Sequence, residues 1–146
     1  MSDTSAPGYS GKPLAQKLGL KAGQSVAFVA LPPELQAMTG AEAFERADGF
    51  DVASKVAPEE PYDVIWAFYD RAGTMQPDLG CLKGGIKPNG MIWVSWPKKA
   101  SGVASDITED TVREAALAHG LVDVKVCAVS DVWSGLKLVI PVSARG

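Results

Sequence analysis

Lys98 and Lys99, followed by Ser101 and Gly102, are the residues whose chemistry stands out first. Two ammonium groups, a hydroxyl and the Gly102 backbone, with the amino end of a following helix nearby, suit a phosphate or a carboxylate. Asp70 and Arg71 form a second charged pair, Glu34 is an isolated carboxylate, and Trp133 with Ser134 offers a stacking face beside a hydroxyl. Simpler readings stand beside these: a Pro-Lys-Lys turn as a solvated loop, and a tryptophan opening a strand as a core wedge.

Acid–base chemistry has fewer candidates. His119 is the only histidine, and it lies one residue before Gly120, where a helix ends. It is expected to interact with that helix's carboxyl end, at the edge of the sheet opposite the lysines. No Ser-His-Asp or Cys-His set can then be assembled. Glu34 and Asp70 could pair, whereas Glu109, Asp110 and Glu114 simply suit the first turns of a helix. Cys81 and Cys127 lack metal-ligand spacing and are expected as two buried thiols, with no metal site.

The elements that must position these groups are legible in the hydrophobic pattern. Residues 25–31, 64–69 and 91–96 are continuous apolar runs, suited to parallel strands covered on both faces. Lys12 to Gly19 reads as a short helix, with Pro13 in its first turn. Met75, Leu79, Leu82 and Ile86 recur at helical spacing, in a helix weakened by Gly80, Gly84 and Gly85. Asp106 and Glu109 have capping-box spacing before Val112, Ala115, Ala116 and Leu117.

Val122, Val124 and Val126 alternate with other residues, and 133–142 returns as a strand, giving a closing hairpin. Ala41 to Ala47 is assigned a helix and Asp51 to Val56 a strand, in the least legible stretch, 34–60. The fold class is therefore α/β: a single three-layer domain with a mostly parallel sheet flanked by helices, ending in an antiparallel hairpin. Residues 1–10 are expected to be a flexible segment and 11–146 the domain. In such sheets ligands bind outside the carboxyl ends of the strands. Glu34, Asp70, Arg71, Lys98, Lys99 and Ser101 all follow apolar runs, and Trp133 and Ser134 join them if the 121–128 segment runs parallel to the others.

The totals narrow the partners. The chain has 146 residues, 47% hydrophobic and 21% charged, with a formal net charge of −3. Nothing in that balance attracts nucleic acid or an anionic membrane. No signal-like start or bilayer-length apolar run is present, and a cytoplasmic location is expected.

Gly19-Leu20-Lys21-Ala22-Gly23-Gln24-Ser25-Val26, Ile86-Lys87-Pro88-Asn89-Gly90-Met91 and the closing hairpin together resemble a reduced class I methyltransferase. That resemblance implies a Rossmann-like fold and raises an S-adenosylmethionine-dependent transferase as one reading. The turn after the first strand departs from it: Ala30-Leu31-Pro32-Pro33-Glu34-Leu35 has no glycine before Gly40, and its two prolines remove amide donors. The usual adenosyl or dinucleotide glycine signature is absent, and the cofactor stays unknown.

Tyr9-Ser10-Gly11, Trp96-Pro97-Lys98-Lys99-Ala100-Ser101-Gly102 and Trp133-Ser134-Gly135-Leu136-Lys137 resemble, as a combination, a small bacterial family catalogued as domain of unknown function 3052. That likeness implies architecture and no activity. The leading expectation is a non-catalytic domain that binds a small anionic ligand or a protein partner at the strand ends. A divergent methyltransferase and a structural or regulatory subunit, including a homo-oligomer, stay open beside it.

Overall fold

The computed structural model describes residues 12–56 and 59–145. Along the chain come α1 (Lys12–Leu18), β1 (Ser25–Val29), β2 (Arg46–Phe50), β3 (Tyr62–Phe68), α2 (Ala72–Gly84), β4 (Ile86–Pro97), α3 (Glu109–Ala118), β5 (Val122–Ala128) and β6 (Trp133–Val139). The strands form a six-stranded sheet in the order β2-β1-β3-β4-β6-β5. β2, β1, β3 and β4 are parallel; β6 is antiparallel to both its neighbours, so β5 again runs with the parallel set. The continuous apolar runs supply the central strands because these are covered on both faces.

Alternation within each run divides the core in two. Ala27, Val29, Ile65, Ala67, Ile92 and Val94 pack with buried side chains of α2 and α3. Val26, Phe28, Val64, Trp66, Met91 and Trp93 pack on the other face with α1 and a 3-10 helix over Pro33–Gly40. Each fully buried large apolar side chain contributes about 1.5–3 kcal/mol. The two buried indoles also find acceptors: Trp66 Nε1 donates to Ser95 Oγ at 2.8 Å and Trp93 Nε1 to the Leu18 carbonyl at 2.8 Å. The second bond satisfies an end carbonyl of α1, just before Gly19 turns the chain with φ +75°.

Several expectations are corrected. Residues 41–45 are not helical, because Ala41 and Phe44 pack onto the sheet, Phe44 edge-on to Phe28 at 6.5 Å. The strand of this region is Arg46–Phe50, not 51–56, which instead contains a 3-10 turn at Ala53–Lys55. Charges in β2 had obscured it. They are tolerated because the strand is an edge and its charges are paired: Arg46 reaches Glu60 at 2.8 Å, and Asp48 accepts the Tyr62 hydroxyl at 2.6 Å.

Ile86 opens β4 and does not continue α2, since the helix stops at Gly85. The last strand ends at Val139, short of Pro141, and Val142–Ala144 form a 3-10 turn. Thr108 caps α3 through a capping box with Thr111, in place of the expected Asp106 and Glu109. Cys127 is buried as expected, but Cys81 is exposed. Residues 1–11, including the expected flexible segment, lie outside the described residues. Among the described residues no helix is long and apolar enough to cross a membrane.

Candidate functional site at the strand ends

The chain leaves β1 through Ala30, an alanine with φ +57°, and the Ala30 amide donates to the Phe50 carbonyl at 2.8 Å. Only glycine adopts that left-handed conformation without cost. Pro32 and Pro33 then lead into the 3-10 helix, whose start lacks their two amide donors. Two clefts flank this exit and share Ala30 and Asp51. One, of about 320 Å³, lies between Leu31, Gln36 and Phe50; the other, of about 150 Å³, runs to Tyr69, Asp70 and Asp78.

The smaller cleft is acidic. Tyr69 donates to Asp78 Oδ2 at 2.8 Å, and burial, followed by this bond, pushes its hydroxyl pKa up. Asp51 pairs with Lys55 at 3.0 Å, and the hydrogen bond and charge of Lys55 hold its carboxyl below the usual range. Asp70 is exposed beside them. Such a lining favours an amine or hydroxyls over an anion.

The lysines stand elsewhere, at the exit of β4. The Lys98 amide donates to the Val132 carbonyl at 2.7 Å, and Lys99–Ser101 form a 3-10 turn closed by Gly102 at φ +78°. Ser101 is used inside that turn: its hydroxyl donates to the Lys98 carbonyl at 2.6 Å and accepts from the Val103 amide at 3.2 Å. Lys99 and Gly102 line a cleft of about 430 Å³ under the loop of residues 102–108. Arg71 lines a second, of about 240 Å³, against Ala104, Ser105 and Asp106 of the same loop.

The loop is tied down at its far side, where Asp106 Oδ1 accepts the Ala72 amide at 2.7 Å. A carboxylate from a distant segment thus occupies the amino end of α2. Glu34 and Trp133 meet on the α1 face of the sheet, the indole Nε1 donating to Glu34 Oε2 at 3.2 Å while its ring packs edge-on to Phe68 at 5.1 Å. Ser134 pairs with Trp96 in the β4–β6 ladder, and Trp133 with Pro97, which puts both at the same strand-end edge as the lysines.

The candidate residues therefore reach one edge but separate along it. Lys99, Gly102 and Arg71 border the 102–108 loop, Asp70 borders the acidic cleft, and Glu34 with Trp133 forms a pair of its own. Asp51, Tyr69, Asp78 and Asp106 complete these surfaces, although none of them was a candidate site residue in the sequence. Asp51 fell in the illegible stretch, and the spacing of Asp106 to Glu109 suggested a cap for α3, whereas Thr108 caps that helix and Asp106 bonds to the start of α2. His119 is at the opposite edge, with Nε2 2.8 Å from the Gln76 carbonyl oxygen. Among the described residues no three His, Cys, Asp or Glu side chains are grouped to hold a metal ion.

The family described as "Protein of unknown function (DUF3052)" matches residues 15–142. The chain belongs to that family. No curated protein matches it in sequence. Solved structures do match in fold. An S-adenosylmethionine-dependent methyltransferase from Clostridium acetobutylicum superposes with a TM-score of 0.65 at 7% identity, covering 90% of this chain and 91% of that one. The CcbJ methyltransferase from Streptomyces caelestis gives 0.62 at 9% identity, covering 93% and 91%. The magnesium protoporphyrin IX methyltransferase from Synechocystis, solved with SAH bound, gives 0.59 at 12% identity, covering 91% and 81%. At these identities the likeness establishes the fold alone: this DUF3052 chain has a methyltransferase-like α/β domain.

Proposed function

We propose that this DUF3052 domain is a non-catalytic binding module that holds a small anionic ligand against the 102–108 loop. The observation that carries the reading is the placement of Lys99 and Arg71 on clefts that share this loop. Both side chains lie at a strand-end edge, where open α/β sheets take their ligands. The proline-bearing exit of β1 and the remoteness of His119 weigh against chemistry of the ordinary cofactor-dependent kind. Thermal unfolding against phosphates, sugar phosphates and carboxylates tests the proposal. Saturating ligand at a hundred times Kd adds about 2.7 kcal/mol, a visible shift in a domain of this size. The shift should disappear in a Lys99→Ala/Arg71→Ala double variant; a shift that survives it removes this site.

One observation favours a second reading, a divergent adenosylmethionine-dependent transferase. Ala30 keeps a left-handed backbone where a glycine turn would stand, and Asp51 and Asp70 at the ends of β2 and β3 border the adjoining clefts. Structural neighbours include a methyltransferase solved with SAM bound and another complexed with sinefungin. Calorimetric titration with adenosylhomocysteine decides between them, since saturable binding lost in Asp51→Ala supports the transferase and no heat at millimolar concentration removes it.

A further inference from the structure

The edge of the sheet opposite these loops carries a pocket of its own, of about 420 Å³ and predominantly polar. It lies between the α1–β1 turn, the start of β4 and the end of β6, with Lys21, Asp63, Asn89, Lys137 and Arg145 among its lining residues. One wall is built by an irregularity in the sheet. The β3–β4 register passes from Tyr62–Ile86 directly to Val64–Met91, so Lys87, Pro88, Asn89 and Gly90 stand opposite Asp63 alone. Gly90 allows that excursion, because an added Cβ would lie 3.0 Å from the Asp63 carbonyl and 3.1 Å from the Lys87 carbonyl.

The charge at this pocket is unbalanced. Asp63 is already engaged, its Oδ2 accepting the Ser25 amide at 2.8 Å and its Oδ1 pairing with Lys87 at 3.1 Å. Among the described residues Lys21, Lys137 and Arg145 have no carboxylate within ion-pair distance. Among the described residues Arg145 spends only Nε, donating to the Ile140 carbonyl at 2.8 Å. Lys137 moreover stands directly across the β5–β6 ladder from Lys125, an arrangement of like charges that weakens a sheet. Lys125 turns away to the Lys17 carbonyl at 3.4 Å, which leaves Lys137 as the cation of that pair on the pocket. In a chain of formal net charge −3 such a concentration of positive charge is a local feature.

We infer that this pocket binds a small, multiply charged anion of the phosphate-ester class, held by Lys21, Lys137 and the guanidinium of Arg145. The free edge of a guanidinium matches two phosphate oxygens, and two ammonium groups supply further charge-assisted contacts. The concave shape suits a small molecule over a polymer backbone. The site is independent of the strand-end reading, since the two share no lining residue.

Inorganic pyrophosphate is the probe, titrated calorimetrically and by amide chemical shifts at constant ionic strength. Saturable binding is expected, with shifts concentrated at residues 19–24 and at Asn89 and Gly90. Lys137→Gln and Lys21→Gln should each weaken it by roughly tenfold, as loss of one charge-assisted hydrogen bond predicts. The Lys99→Ala/Arg71→Ala variant should bind pyrophosphate as the parent does. Absence of saturable binding overturns the inference, and so does binding that resists both glutamine variants. Because Lys21 is exposed, its variant tests the site even if Lys137→Gln disturbs the sheet.

Discussion

Asp106 and Ala72 lie 34 positions apart in sequence, yet the Asp106 carboxylate accepts the Ala72 amide at 2.7 Å. This bond places a negative charge at the amino end of α2, where Arg71 provides no side-chain cap. It also anchors the 102–108 loop over the clefts bordered by Lys99 and Arg71.

Asp106→Ala should therefore do two things together. It should lower stability by about 1 kcal/mol, the usual cost of losing a helix cap, and it should speed hydrogen exchange at the Ala72 amide and across residues 103–107. Exchange measured by NMR checks both. If exchange accelerates at Ala72 but the loop amides keep their rates, the bond caps the helix without restraining the loop.

Ala30 supplies a prediction of opposite sign. Its left-handed conformation costs an L-residue roughly 1–2 kcal/mol, while glycine there loses about 0.5–1 kcal/mol of backbone entropy relative to alanine. Ala30→Gly should thus raise stability, by about 0.5 to 1 kcal/mol. Urea unfolding at unchanged m-value measures it. A less stable glycine variant would mean that the alanine methyl makes contacts worth more than the strain.

The difference between what the sequence discloses and what it hides has a physical pattern. β1, β3 and β4 were legible because burial on both faces demands unbroken apolar runs. Their convergence with Lys98, Lys99 and Trp133 at one edge followed from chain direction alone. β2 was hidden because it is an edge strand whose Arg46 pairs with Glu60 and whose Asp48 accepts the Tyr62 hydroxyl, partners from another segment. The division of the edge into an acidic cleft and a loop flanked by Lys99 and Arg71 was hidden for the same reason. Asp78 with Tyr69, and Asp106 with Ala72, are tertiary pairings that no local spacing announces.

Ser95 is fully buried, and its hydroxyl receives the Trp66 indole N–H at 2.8 Å. Ser95→Ala leaves that N–H without its acceptor in a dry core, at a cost of about 1–3 kcal/mol. Trp66→Phe should cost less in the Ser95→Ala background than in the parent, because there only packing is lost and the unsatisfied donor disappears. A double-mutant cycle in chemical denaturation gives the coupling, expected between about 0.5 and 3 kcal/mol. Additive single effects would show that the bond contributes little beyond packing.

Tyr62 sets an alkaline limit on the edge of the sheet. Its hydroxyl is pushed up from 10.0 to about 12, first by burial and then by its hydrogen bond to Asp48. In the unfolded chain the same group ionises near its ordinary value of about 10. A folded pKa raised above the unfolded one means that stability is fully present below pH 10 and falls as pH rises from there toward 12. Tyr69, also shifted upward, acts in the same direction. Denaturation midpoints taken at increasing alkaline pH should decline over this window, and Tyr62→Phe should flatten the decline while costing stability at neutral pH through the Asp48 bond it removes. Ultraviolet titration of the tyrosinate band gives the direct test. A Tyr62 signal rising near pH 10 would place that hydroxyl in solvent, away from Asp48 and from the Arg46 guanidinium that lies 4.1 Å over its ring.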